Sequence, residues 1–391
     1  MASWRERAAR AGNQRVSAPL PQRPPFDRSS GITVELATDP QVWNGFVAAH
    51  PAGSITHRWE WGAVIAETYG HRTHRFVARG ASGIEGVLAL TEVRSRLFGV
   101  QLCSMPYVDD GGVLASTPIA WSGLLEAAAA LAARLRIRSI ELRQRHPRAD
   151  LPTRGDRVTL ILDLPHGDGH RTGAERVDAL WKGFSTKMRN HVRKAEKSGL
   201  VAERHGPDAI RAFYGVWRVN MRDLGSPAHS ERWFEQVAAH FAAETSVYLV
   251  RRGAEVMGGL IALEHGGGIV VPWASSDRRY FSLCPNNLLF WTAIQAAAER
   301  GLQRFDFGRS AVGSGTFVFK RQWGAEPVQL YWQDLDPVAG RIALLPPGQL
   351  PVLAPEADHD RRRELGEKVW QRLPVPIATW LGARLRGGIT L

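Results

Sequence analysis

The chain has 391 residues, 44% hydrophobic and 23% charged, with a formal net charge of +12. That balance excludes an intrinsically disordered chain, and the length favours two domains over one core. The basic excess points to an anionic partner such as nucleic acid, a phosphate-bearing substrate or an anionic membrane face; an arginine-favouring, high-GC genome explains it equally well. The only cysteines, Cys103 and Cys284, lie outside any CxxC or Cys/His cluster. A disulfide framework and a metal site are therefore not expected, and two sparse thiols fit a reducing compartment.

Residues 1–30 place Pro19, Pro21, Pro24 and Pro25 among Arg, Ser and Gln, and read as a disordered tail with no apolar signal region. No window approaches the ~20 apolar residues of a membrane span. The chain is expected to be cytoplasmic, with the inner face of the membrane as its one candidate surface.

From residue 31 the sequence repeats itself. Phe76–Gly80 and Leu249–Gly253 each end in Arg-Gly and are followed, at the same spacing, by Gly86–Leu90 and Gly259–Leu263. Each pair reads as a hairpin whose turn glycines adopt positive φ at low cost. Trp59 and Trp233 mark a helix start before each hairpin. An apolar helix follows each, over 120–135 and 286–300. Each helix leads to a short strand with an outward acid, Glu141 in 137–142 and Asp306 in 302–307. Each half is thus a helix, an antiparallel meander and a helical crossover, a mixed α/β (α+β) unit. The boundaries fall at about 31–165 and 166–338. Residues 339–391 form a Pro-rich linker and a helical tail, whose Trp370, Ile377, Trp380 and Leu381, with Arg384 and Arg386, suit a membrane surface or packing on the chain's own domain.

Three segments carry candidate chemistry. Trp181–Leu200 reads as one basic helix capped by Ser185 or Thr186 and ended by Gly199, with Met188, Val192 and Ala195 facing the core. Lys187, Arg189, Arg193 and Lys194 project from it as phosphate ligands; only Glu196 interrupts the cations, so pairing within the helix does not account for them. Next, a strand ends at Phe307 and a glycine-bearing loop leads to an aromatic strand carrying Lys320. Strand ends in open α/β sheets bind ligands, and Arg309 and Lys320 flank this loop. Finally, Trp273 and Tyr280 could stack on a flat substrate, and Asn287 opens a helix whose N-terminus could hold an anion; a core tryptophan and a capped helix are the equal alternative. No P-loop, GxSxG elbow, HExxH or Rossmann fingerprint is present.

The string Lys187–Leu200, together with Phe305–Ser310 and Phe319–Gly324, resembles the FemAB family. Met221–Ser230 and Ser104–Gly112 match it too. The likeness spans roughly 31–338 and is nearest to the FemAB-like proteins associated with exosortase and exopolysaccharide genes. It implies two tandem GNAT-like (acyl-CoA N-acyltransferase-type) domains. It also implies transfer of an acyl or aminoacyl group to an amine of a cell-envelope precursor, peptidoglycan or exopolysaccharide-linked. The family's Phe-Lys-x-x-x-Gly lysine falls on Lys320. The donor is then acyl-CoA or aminoacyl-tRNA, with no tightly bound cofactor. The expected partner is an anionic envelope precursor, and DNA is not one. Lys320 and Arg309 would stabilise developing charge, Asp306 is the candidate base, and the basic helix would hold the anionic carrier. The rival reading is a non-catalytic protein that uses a GNAT-like fold to recruit an anionic envelope polymer or RNA.

Overall fold

The computed structural model describes residues 31–390 apart from 96–98, 147–150, 152, 155–156, 167–171, 336, 339–340, 343–351 and 354–360. The expected N-terminal tail and most of the Pro-rich linker lie outside the described residues.

The first half runs β1 (Thr33–Leu36), α1 (Pro40–Ala49), α2 (Trp61–Tyr69), β2 (Thr73–Gly80), β3 (Gly83–Ser95), β4 (Gly99–Cys103), β5 (Leu114–Ala115), α3 (Pro118–Leu135), β6 (Ile140–Gln144) and β7 (Thr153–Arg154), followed by β8 (Arg157–Asp163). Two helices then intervene, α4 (Gly173–Gly183) and α5 (Thr186–Lys197). The second half repeats the order: β9 (Val201–His205), α6 (Ile210–Asp223), α7 (Glu231–His240), β10 (Thr245–Arg252), β11 (Glu255–His265), β12 (Gly268–Ser276), α8 (Pro285–Glu299) and β13 (Arg304–Ala311). Helix α9 (Gly315–Arg321), β14 (Glu326–Gln329), β15 (Tyr331–Leu335), α10 (Arg361–Gln371) and α11 (Val375–Leu385) complete the main elements.

Both halves pair the same way. In each, an opening strand lies antiparallel to the first hairpin strand, the meander continues antiparallel, and the crossover strand returns parallel, as β4–β6 and β12–β13. The chain is therefore a mixed α/β protein of two tandem GNAT-like units. The expected hairpins, β2–β3 and β10–β11, both form. The two sheets also exchange strands: β8 pairs antiparallel with β13 in the second sheet, and β15 pairs antiparallel with β6 in the first. Neither crossing follows a boundary at 165. A local strand pattern carries no record of which sheet a strand will join.

Period-two burial builds the layers. Val158, Leu160, Leu162, Phe305 and Phe307 point to one side of the second sheet, against α4, α5 and α8. The other side faces α2, α6 and α7, where Trp61 stacks on Trp233 with centroids 5.9 Å apart. These two indoles, one from each half, join the units. In the first half Trp61, not Trp59, lies inside the helix.

Three local expectations are corrected. Glu141 and Asp306 do not point outward; both are buried. The basic segment breaks into α4 and α5 at Phe184, whose backbone is extended. Lys320 lies on helix α9, not on a strand: Ser314 accepts from the Phe317 N–H and so caps a helix that strand alternation could not reveal.

Candidate active site between the two halves

A cavity of about 970 Å³ opens where the units meet. The first half contributes the turn 50–57, Trp61, Asp109–Thr117 and Arg143–His146; the second contributes Thr159 and Ile161 of the exchanged β8, the β11–β12 turn, Arg304 and Asp306. Asp306 reaches it because its neighbours Phe305 and Phe307 turn to the opposite core.

Asp306 is held by three donors: Thr159 Oγ1, the Gly308 backbone N–H at 2.8 Å, and Arg145 Nη2 at 2.8 Å. Arg145 also donates Nε to Asp110. Burial disfavours the Arg145 charge, but Asp110 and Asp306 outweigh it and hold its pKa above the ordinary value. Burial alone would raise Asp110; Arg145, His57 and the hydrogen bonds from Arg145 and Thr56 hold it below the usual carboxylate range.

Next to this network lies a short turn, Ile55–His57, fixed by two indoles. Trp61 Nε1 donates to Ile55 O at 2.8 Å, and Trp43 Nε1 donates to His57 O at 2.7 Å. The turn aims Thr56 Oγ1 at Asp110 Oδ1, 2.8 Å away. His57 is partly open to the cavity yet enclosed by protein; burial, with Arg145, His50 and His265, lowers its pKa to about 4 against the pull of Asp110.

Of the residues singled out from sequence, Asp306 alone lines the cavity. Lys320 lies behind its wall, buried, donating Nζ to Gly308 O at 2.8 Å and Arg309 O at 2.9 Å. Burial lowers its pKa to about 8, against the pull of Asp109 and Asp306. Arg309 pairs through Nε with Asp109 at 3.1 Å and lies over the Trp332 ring. Neither cation faces the cavity as a free ligand.

The remaining candidates lie elsewhere. Trp273 is a core residue packed edge-on against Trp233 and Phe234. The Tyr280 hydroxyl donates to Glu255. Asn287 is buried and donates Nδ2 to Met188 Sδ at 3.0 Å, tying α8 to α5. Lys187, Arg193 and Lys194 are exposed on α5 and Arg189 is partly so, on the other side of the second sheet from the cavity. Arg189 Nη1 donates to the Lys182 carbonyl at 3.0 Å, and Arg193 lies over Trp181. Ser185 caps α5, and Met188, Val192 and Ala195 face inward.

Sequence reading missed Arg145, Asp110, Thr56 and His57 as a group. Asp110 falls within the family-like string Ser104–Gly112, but only the fold brings it to a turn more than fifty positions earlier.

Residues 182–321 match the family model described as an acetyltransferase (GNAT) domain. The fold is similar to that of FemX, at 14% identity and a TM-score of 0.58, covering 77% of this chain and 96% of that one. It is also similar to a conserved protein of unknown function from Bacteroides thetaiotaomicron, at 9% identity and a TM-score of 0.52, covering 77% and 99%. No curated protein sequence matches the chain. Among the described residues, no helix is long and apolar enough to cross a membrane.

Proposed function

We propose that this chain is a FemAB-type acyltransferase that moves an acyl or aminoacyl group onto an amine of an anionic cell-envelope precursor. The observation that carries the reading is the cavity at the junction of two GNAT-like units, with buried carboxylates from both halves, Asp110 and Asp306, at its wall. A cationic or hydrogen-bonding amine suits such a wall, and the volume accommodates an acceptor of several hundred Å³.

The reaction needs two reactants held in line, a proton acceptor and a donor of charge to the developing oxyanion. Pairing between β12 and β13 stops at Val270–Asp306. Beyond that point the backbone of Gly308 and Arg309 is held by Lys320, so the strand end is fixed where an acyl group would enter. Lys320 acts there by positioning this backbone. Asp306 serves as a fixed negative centre that orients the amine, because three donors already occupy its oxygens.

The donor is acyl-CoA or aminoacyl-tRNA, both polyanionic carriers; the cations of α5, across the second sheet from the cavity, suit the body of a long carrier and not its reactive end. The acceptor is a peptidoglycan or exopolysaccharide-linked amine. The tail offers exposed Ile377 and Trp380, with Arg384 stacked on Trp380 at 3.8 Å, as a contact with the inner membrane face. Arg386 is not part of that surface: it turns inward, donating to His229 Nε2 and Ile389 O. Mass spectrometry of envelope polymers from cells with and without the gene tests the reading. An N-acyl or N-aminoacyl group present only with the gene supports it; identical polymers refute it.

A further inference from the structure

The cavity wall carries a hydrogen-bond chain whose direction follows from counting protons. Asp110 is ionised and can only accept, so the single hydroxyl proton of Thr56 goes to Asp110 Oδ1. Ser54 Oγ lies 2.7 Å from Thr56 Oγ1, which has no proton left, so Ser54 donates to Thr56. His57 Nδ1 lies 2.8 Å from Ser54 Oγ, whose proton is now spent, so Nδ1 carries the hydrogen and donates it. Any other arrangement sets two lone pairs, oxygen against oxygen or nitrogen against oxygen, at hydrogen-bond distance. The tautomer is thereby fixed: Nδ1 is protonated, and Nε2 presents a lone pair with no partner among the described residues.

We propose that His57 is the general base of the transfer, its Nε2 taking the proton of the attacking amine. The inference rests on the acyl-transfer reading above. The amine lone pair forms the new C–N bond to the carbonyl carbon while the C=O π pair moves to oxygen. The ammonium proton passes to Nε2. Collapse reforms C=O, breaks the bond to the thiolate or ribose oxygen, and the imidazolium returns its proton to that leaving group. Protons and electrons balance with no further reactant.

The carboxylates at the wall, and His50, are already engaged. Asp306 accepts from three groups and Asp110 from Thr56 and Arg145. Asp109 accepts from the Arg309 backbone N–H and Nε. His50 Nδ1 accepts from the Ala52 N–H at 3.1 Å. The groups facing His57 are Asp110, which favours the imidazolium, and Arg145, His50 and His265, which oppose it. At neutral pH the ring is therefore unprotonated, and it holds a proton only transiently.

Two measurements test this. Long-range ¹⁵N–¹H correlation spectra of the full chain at neutral pH should show His57 Nδ1 as the protonated nitrogen and Nε2 as the bare one. Thr56→Val, which cuts the chain, should move population to the other tautomer. In transfer assays with acetyl-coenzyme A and aminoacyl-tRNA as donors and a lysine-bearing stem peptide as acceptor, His57→Gln should lower kcat by about a hundredfold or more. At neutral pH, KM and melting temperature should barely change, and Thr56→Val should fall in between. A protonated Nε2 in the wild type, or wild-type kcat in His57→Gln, overturns the proposal while leaving acyl transfer intact. Absence of transfer by the wild type from either donor overturns the reaction and the base together, whatever the tautomer.

Discussion

Arg145, just after β6 of the first half, donates Nη2 to Asp306 of the second at 2.8 Å while its Nε serves Asp110. One guanidinium thus joins the two sheets across the cavity floor and satisfies two buried carboxylates. Removing it takes the cationic partner from both, leaving only the neutral donors Thr159, Gly308 and Thr56. Arg145→Met should destabilise the fold by about 1–3 kcal/mol, since the side chain keeps part of its exposure to the cavity. It should also abolish transfer, because Asp306 loses its orientation. Denaturant unfolding checks the first statement and turnover the second.

Trp61 and Trp233 are fully buried and stacked between the units. Trp61→Ala removes this contact and the indole that fixes the Ile55 carbonyl. The expected loss is about 3–5 kcal/mol, measured as a lower denaturation midpoint with the slope unchanged.

Lys320→Ala leaves the Gly308 and Arg309 carbonyls without their donor. A stability loss of about 1–3 kcal/mol is expected, together with a lower kcat as the Asp306 strand relaxes. Lys320→Arg, too bulky and rigid for the same pocket, should not rescue it. Equal melting temperatures for wild type and Lys320→Ala would contradict the buried geometry.

His57 titrates at about 4 when folded against an ordinary 6.5. The unfolded chain takes up its proton first, so the stability His57 contributes is complete above about pH 6.5 and is lost as pH falls toward 4. His57→Gln should flatten the decline of melting temperature across that window. An unchanged decline assigns the acid sensitivity to other groups.

Arg193 and Lys194 are exposed. Reversing both charges should leave the melting temperature within about 1 °C, while weakening binding of a tRNA or coenzyme A probe and lowering its salt dependence.

Much of the fold was legible because it rests on local signals. The repeated Arg-Gly turns announced β2–β3 and β10–β11, and the apolar runs announced α3 and α8. The Ser185 cap and Gly199, in the left-handed region at φ 76°, bounded the basic helix end as expected. What was not legible depends on tertiary pairing. Strands β8 and β15 look like ordinary members of their own halves, and only the closed structure shows them exchanged. The family-like string pointed to Lys320, but its strand setting was wrong because three nearby aromatics, Phe317, Phe319 and Trp323, fit alternation as readily as a helical turn. Asp306 was found from its place at a strand end. His57 was passed over because Ser54, Thr56 and His57 acquire meaning only when Asp110 arrives to orient them.

The most direct measurement is covalent transfer by the purified chain. Acetyl-coenzyme A and a pool of aminoacyl-tRNAs are offered in turn, with a lysine-bearing stem peptide and glucosamine as acceptors, and products are read by mass. The account predicts an amide-linked product from one donor class, lost in Arg145→Met. Saturable binding of RNA or anionic polymer with no covalent product from either donor would contradict it and favour a recruiting protein built on an acyltransferase fold.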